Sequence, residues 1–457
     1  MIGSIFRSLI GRSPLQKTLR KHFRDVSPSE IVTAAREFPV TSRVDVQVAL
    51  EQLVAERGGA KLLGIHSPMN QETPTMAHLF TAGPFPMDLG PLQHDEVDIG
   101  DETPVRCLKS GLWLSREDEI PLAILLGPSM RFGQVGGVHV EIAIPVGERG
   151  AQLSKEWFRN LELRVAAGRT YRGRVISLEN YYDYSGRSGA VKVHRLHKVN
   201  REDVILPQKT LQLLDRNVAM FIAARDRIKG LRFSTKKGLL FYGPPGTGKT
   251  HTIHYLASQL PEHTTLLITA EQVGLLGEYF RLARFLQPAM MIIEDVDLIA
   301  RERVQMQDPG QEMLLNKLLN EMDGLREDAD VLFVLTTNRP DQLEPALASR
   351  PGRIDQAIEF PLPDEEGRTK LVKLYSRGLN VPESLLDLIV RRTKGASPAF
   401  IKELMRRSAQ FQIELGKDNT LQQAAVDGAI EEMVFIGGAL NLTLLGGSAT
   451  EFKAADA

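Results

Sequence analysis

Cysteine is almost missing from this chain. Cys107 is the only one in 457 residues. No internal disulfide or multi-cysteine zinc site can therefore be built, and a reducing compartment is expected. A dominant charge is missing too: 56 basic against 57 acidic residues leave a formal net charge of −1. That balance gives no global pull toward nucleic acid or an acidic membrane. No uninterrupted apolar stretch reaches the roughly 18 residues of a membrane-spanning helix. There is no secretory h-region with an A-x-A site. Neither H-E-x-x-H nor N-K-x-D occurs, which removes a zinc-protease motif and a guanine-reading motif.

The first 24 residues carry one sign of charge. Arg7, Arg12, Lys17, Arg20, Lys21 and Arg24 all precede the first acid, Asp25, while Ile2, Ile5, Phe6, Leu9 and Ile10 fall at helical spacing. A basic amphipathic helix follows. Docking on its own protein or a partner is favoured over a transit peptide or a membrane-surface helix, and any membrane contact is confined to residues 1–24.

Composition divides the rest. Residues 1–65 read as a helical segment, and 66–202 as a β-rich region with short alternating runs such as Val138–Ile144. Residues 203–362 alternate strand and helix, with strands expected at 238–242, 265–269, 290–294, 331–337 and near 357–360. Their continuous apolar character suits a parallel sheet covered on both faces. Residues 363–436 read as helices, and 437–457 as a weakly ordered tail.

The run Gly243-Pro244-Pro245-Gly246-Thr247-Gly248-Lys249-Thr250 fits G-x-x-x-x-G-K-[ST] between a buried strand and a helix that goes on through His251. Its glycines let backbone N–H groups converge on phosphates, and the helix start adds a favourable dipole. Lys249 would reach the β/γ-phosphates of a nucleoside triphosphate, and Thr250 would hold Mg²⁺. Glu294-Asp295-Val296-Asp297 ends one later strand and Thr337-Asn338 another. Both deliver polar groups to the carboxyl end of a parallel sheet, where ligands bind. Arg350 and Arg353 follow in an Arg-Pro-Gly-Arg-Ile-Asp run.

Together with Leu318–Leu325 and Thr336–Asp341, these motifs resemble the AAA family of ATPases over about residues 203–435. The resemblance implies an α/β P-loop NTPase domain with a C-terminal helical lid, hydrolysing ATP with Mg²⁺. It makes Asn338 a sensor that places the lytic water. It makes Arg350 and Arg353 arginine fingers reaching a neighbouring subunit, hence a ring, typically a hexamer. A protein substrate would be chosen by the N-terminal region; nucleic acid is not expected, and the location would be cytoplasmic. An alternative is a slow assembly switch or a membrane-associated assembly factor.

Three departures stand out. Most AAA ATPases end the acidic strand in Asp-Glu, whereas Glu294-Asp295 reverses the order, as in mitochondrial inner-membrane AAA ATPases that assemble respiratory complexes. Keeping the register assigns Glu294 to Mg²⁺ and Asp295 to the water; shifting it would put Val296 at the water. The pore-loop segment around Glu271–Phe280 is about half the usual length, so Tyr279 and Phe280 are expected to pack within a helix. Pro398 replaces a lid glycine near the adenine. His194 and His197 lack further metal-ligand partners nearby, Gly133–Gly137 reads as a turn, and Asn180–Tyr184 as an aromatic turn.

Overall fold

The structure, a computed structural model, describes residues 13–24, 26–66, 72–81, 87–131, 134–179, 191–297, 312–326, 329–341, 353–416 and 418–436. It forms two compact units, one of residues 1–171 and 179–193, the other of 172–178 and 194–457.

The first unit is built on an antiparallel sheet. Its strands are β1 (Ile31–Pro39), β2 (Lys61–His66), β3 (Asp88–Gly90), β4 (His94–Val97), β5 (Val105–Leu108), β6 (Gly111–Glu117), β7 (Ile120–Arg131) and β8 (Gln134–Pro145). Six of them pair in the order β1-β8-β7-β6-β2-β3, while β4 and β5 make a separate ribbon. The reading of residues 1–65 as helical holds for Pro14–His22 and Arg43–Glu56 and is corrected at β1 and β2. Ile31-Val-Thr-Ala-Ala-Arg-Glu-Phe38 is rich in helix-forming residues, yet all nine residues of β1 pair with Pro145–Gly137 of β8. Tertiary pairing overrides local propensity there. The helix Pro14–His22 is capped by Ser13 and Gln16. It buries Leu15, Leu19 and Phe23 with Ile65, Met76 and Leu125. Residues 14–23 therefore dock on their own unit; residues 1–12, including Ile2–Ile10, Arg7 and Arg12, lie outside the described residues.

The remaining strands are β9 (Val175–Leu178), β10 (Val191–His194), β11 (Lys237–Tyr242), β12 (Thr264–Ile268), β13 (Ala289–Ile293), β14 (Val331–Thr337) and β15 (Gln356–Glu359). They form one sheet in the order β10-β9-β12-β13-β14-β11-β15. Every pairing from β9 to β15 is parallel. The five strands expected from the sequence are present within a residue or so, and β13 and β14 are buried along their whole length. Parallel strands covered on both faces need such unbroken apolar runs. Phe241, Ile253, Met290, Val334 and Phe360 make the core on one face. Stacking of Phe280 on Phe333, with centroids 5.7 Å apart, lies at another contact of the sheet. A set of helices, Glu365–Tyr375, Glu383–Arg392, Pro398–Leu415 and Gln423–Ile430, packs around its own core of Val372, Ile389, Phe400, Leu404 and Val426. The expected helical lid is this element. The tail 437–457, Gly133 and Asn180–Tyr184 fall outside the described residues.

Candidate active site

The polar residues singled out in the sequence sit where β11, β13 and β14 end. After Tyr242 the chain turns through the glycine-rich loop into the helix Lys249–Gln259. Gly248 occupies the N-cap with φ +96°, and no side chain caps the helix. Its first N–H groups are left for an anion, and the backbone sign requires glycine. Gly246 (φ +76°) is held by contact: a Cβ there would lie 2.9 Å from Ala399 Cβ and 3.0 Å from Ser397 Oγ. Ala399 N donates to Gly246 O at 3.1 Å, joining lid to loop. Pro398 takes the first position of its helix, capped by Ser397, a place where a missing N–H costs nothing. Thr247 Oγ1 donates to Pro244 O at 2.8 Å and braces the loop.

Lys249 is buried, and its Nζ donates to Gly243 O at 2.8 Å and Pro244 O at 2.9 Å. Burial lowers its pKa to about 8, against the opposing pull of Asp295 and Asp297. An ammonium with two of its three donors on neutral carbonyls is ready to exchange them for phosphate oxygens. Thr250 Oγ1 donates to Glu294 Oε1 at 2.9 Å. A hydroxyl and a carboxylate this close are hard oxygen donors of the kind Mg²⁺ takes, so the residues present fit that ion. The His251 ring lies toward Asp203: Nε2 is 3.2 Å from Asp203 O, which leaves its backbone N–H as the group on the phosphate side of the helix start.

Glu294 N still bonds Ile268 O at 3.0 Å, the last rung of the ladder. Asp295 then adopts φ +48°, a conformation that costs an L residue energy, though aspartate tolerates it better than most. Asp295 N donates to Thr336 Oγ1 at 3.0 Å, and its Oδ1 accepts from Asn338 Nδ2 at 3.0 Å. Burial and the neighbouring Asp297 raise its pKa, while Lys249 and Asn338 pull it back. Val296 is fully buried, so the strand end presents Glu294 to Thr250 and Asp295 to Asn338. Asp297, quoted in the sequence without a role, proves central. It is 3 % exposed, and its Oδ1 accepts from Thr337 Oγ1 at 2.9 Å and Asn338 N at 3.3 Å. The sequence signal was an acid on each side of a buried valine. Thr336 opens the Thr336–Asp341 motif, where the sequence gives it no role of its own.

Arg350 lies outside the described residues. The side chain of Arg353 is 8 % exposed and paired with Asp323 of its own chain, Nε to Oδ1 at 3.0 Å. It is not directed at the triphosphate loop within this chain. The short segment after β12 settles into a turn, Ala270–Leu275, before the helix Leu276–Phe285. Tyr279 and Phe280 are fully buried, as expected from their spacing. Leu178 N donates to Tyr279 Oη at 2.7 Å, and Tyr279 Oη to Gln272 Oε1 at 3.0 Å. Neither ring is free to touch a polypeptide.

Residues 239–362 match the AAA family, described as the ATPase family associated with various cellular activities. The chain is similar to the proteasome-activating nucleotidase of Methanocaldococcus jannaschii, 33% identical over 230 residues, 48% of this chain and 53% of the relative. The protein of the same name from Methanothermobacter thermautotrophicus is 35% identical over 203 residues, 42% of this chain and 49% of its own. That from Methanopyrus kandleri is 37% identical over 194 residues, 40% and 44% respectively. The chain spans about half the length of the curated relatives it matches. Loop, acidic strand end and polar strand end agree with that match, and residues 239–362 form an AAA ATPase domain.

Proposed function

We propose that the protein hydrolyses ATP to ADP and phosphate in a homo-oligomeric ring, typically a hexamer, and uses the cycle to remodel a protein partner. The observation that carries this reading is the pairing of Thr250 with Glu294 and of Asn338 with Asp295 beside one glycine-rich loop.

The loop N–H groups of Gly246–Thr250 cradle the phosphates, and Lys249 leaves the Gly243 and Pro244 carbonyls to meet them. Thr250 and Glu294 would hold Mg²⁺, which would supply neutralisation of charge on the phosphate oxygens. The Asp295 carboxylate, its Oδ1 held by Asn338 and its backbone N by the Thr336 hydroxyl, orients the attacking water and accepts its proton. Asp297 keeps Thr337 and the Asn338 backbone at the required height. Positioning and electrostatics of this kind supply most of the rate in phosphoryl transfer. Arg350 and Arg353 add positive charge from the adjacent subunit, so Arg353 exchanges Asp323 for the neighbour's nucleotide.

The named relatives are nucleotidases that activate the proteasome, which supports work on protein substrates. The burial of Tyr279 and Phe280 argues that those rings do not grip a threaded polypeptide. The antiparallel unit of residues 1–171 is assigned to partner choice. The ring is tested by subunit mixing. Lys249→Ala and Arg353→Ala proteins, each inactive alone, regain ATP hydrolysis when mixed, because one supplies a sound loop and the other a sound arginine. Arg353→Ala protein with wild-type turnover would remove the shared site.

A further inference from the structure

One carboxylate outside the phosphate loop joins three parts of the ATPase unit. Asp203 closes the short turn Arg201–Asp203, and its Oδ2 accepts from Asn200 N at 3.3 Å and Asn200 Nδ2 at 3.4 Å. Its Oδ1 accepts from Arg377 Nη2 at 2.7 Å. Arg377 follows the first lid helix, Glu365–Tyr375. The carbonyl of Asp203 accepts from His251 Nε2 at 3.2 Å, and His251 sits next to Thr250 in the phosphate-loop helix. Both carboxylate oxygens and the carbonyl are used, so the rotamer and the backbone are fixed together. Directly downstream, Ile205, Leu206 and Pro207 line a cavity of about 100 Å³ with Thr247 of the loop and Pro398 of the lid. The strand of chain that walls this cavity is thus tied at its start to the lid and to the loop helix.

We propose that Asp203 is a positioning residue for the nucleotide, holding the Ile205–Pro207 wall against loop and lid through Arg377 and His251. The inference rests on the ATPase reading. Asp203 touches no reacting atom, so it acts on affinity and leaves the chemical step alone. Because Arg377 is 63 % exposed, the pair contributes little to fold stability. Its effect is felt where lid and wall must hold one arrangement around a ligand.

The test measures binding of a fluorescent ATP analogue and steady-state hydrolysis in the full chain. Arg377→Gln and Asp203→Asn each weaken ATP and ADP affinity by the same factor, roughly three- to tenfold at low salt, with kcat at saturating ATP changed by less than about twofold. The double variant is no weaker than the worse single one, because both remove one interaction. Thermal midpoints stay within about 2 °C of wild type. A fall in kcat with affinity unchanged would overturn the inference, as would losses in the two single variants that multiply. Wild-type protein that binds neither ATP nor ADP would instead overturn the ATPase reading, and this inference with it.

Discussion

Asn338 Nδ2 lies 3.0 Å from Asp295 Oδ1, across the ends of two adjacent parallel strands. Asp295 reaches that position through a left-handed backbone turn one residue after Glu294 has made the last ladder bond. Its carboxyl is pushed above the usual carboxylate range: burial and Asp297 favour the proton more than Lys249 and Asn338 favour the anion.

Asn338→Ala removes one force holding Asp295 ionised. A base works only above its pKa, so the acidic limb of the kcat profile moves to higher pH. At neutral pH kcat falls by about 10–100-fold with KM nearly unchanged. A pH–rate series on wild type and variant reads both effects; an unmoved limb would separate Asn338 from Asp295.

Lys249 has a pKa of about 8 in the ligand-free site because it is buried. Phosphate oxygens favour the cation and lift that pKa on binding. ATP binding between about pH 8 and 9 therefore takes up a proton, and affinity declines as pH rises through that window. Calorimetry in buffers of different ionisation enthalpy measures the uptake. Binding enthalpies that do not depend on the buffer would contradict it.

Tyr279→Phe deletes a hydroxyl that accepts from Leu178 N and donates to Gln272. Loss of a buried bond leaves Leu178 N unpaired and lowers stability by about 1–3 kcal/mol. Hydrolysis at saturating ATP stays near wild type. Denaturant midpoints and turnover distinguish this structural duty from substrate grip, in which stability would hold and substrate-stimulated turnover would drop.

The ATPase unit was legible because parallel strands covered on both faces must be apolar throughout, and because a loop that binds phosphate needs glycine at fixed places. Val331–Thr337 matched its strand to the residue for the first reason. The antiparallel unit was less legible. β1 is one edge of its sheet, carries Ala, Arg and Glu, and is specified by its partner β8 more than by its own sequence. In the site, paired motifs announced Glu294, Asp295 and Asn338. Asp203 acts by holding backbone and neighbours, which no local spacing reveals. The motif places His251 after Thr250 without saying where its ring goes; helix phase turns that ring toward Asp203.

Replacing Asp295 by asparagine keeps size and hydrogen bonding while removing the base, so it tests the ATP-hydrolysis claim directly. The account predicts ATP affinity within about twofold of wild type and turnover reduced on the order of 10²-fold or more. Undiminished hydrolysis by the Asp295→Asn protein would contradict it.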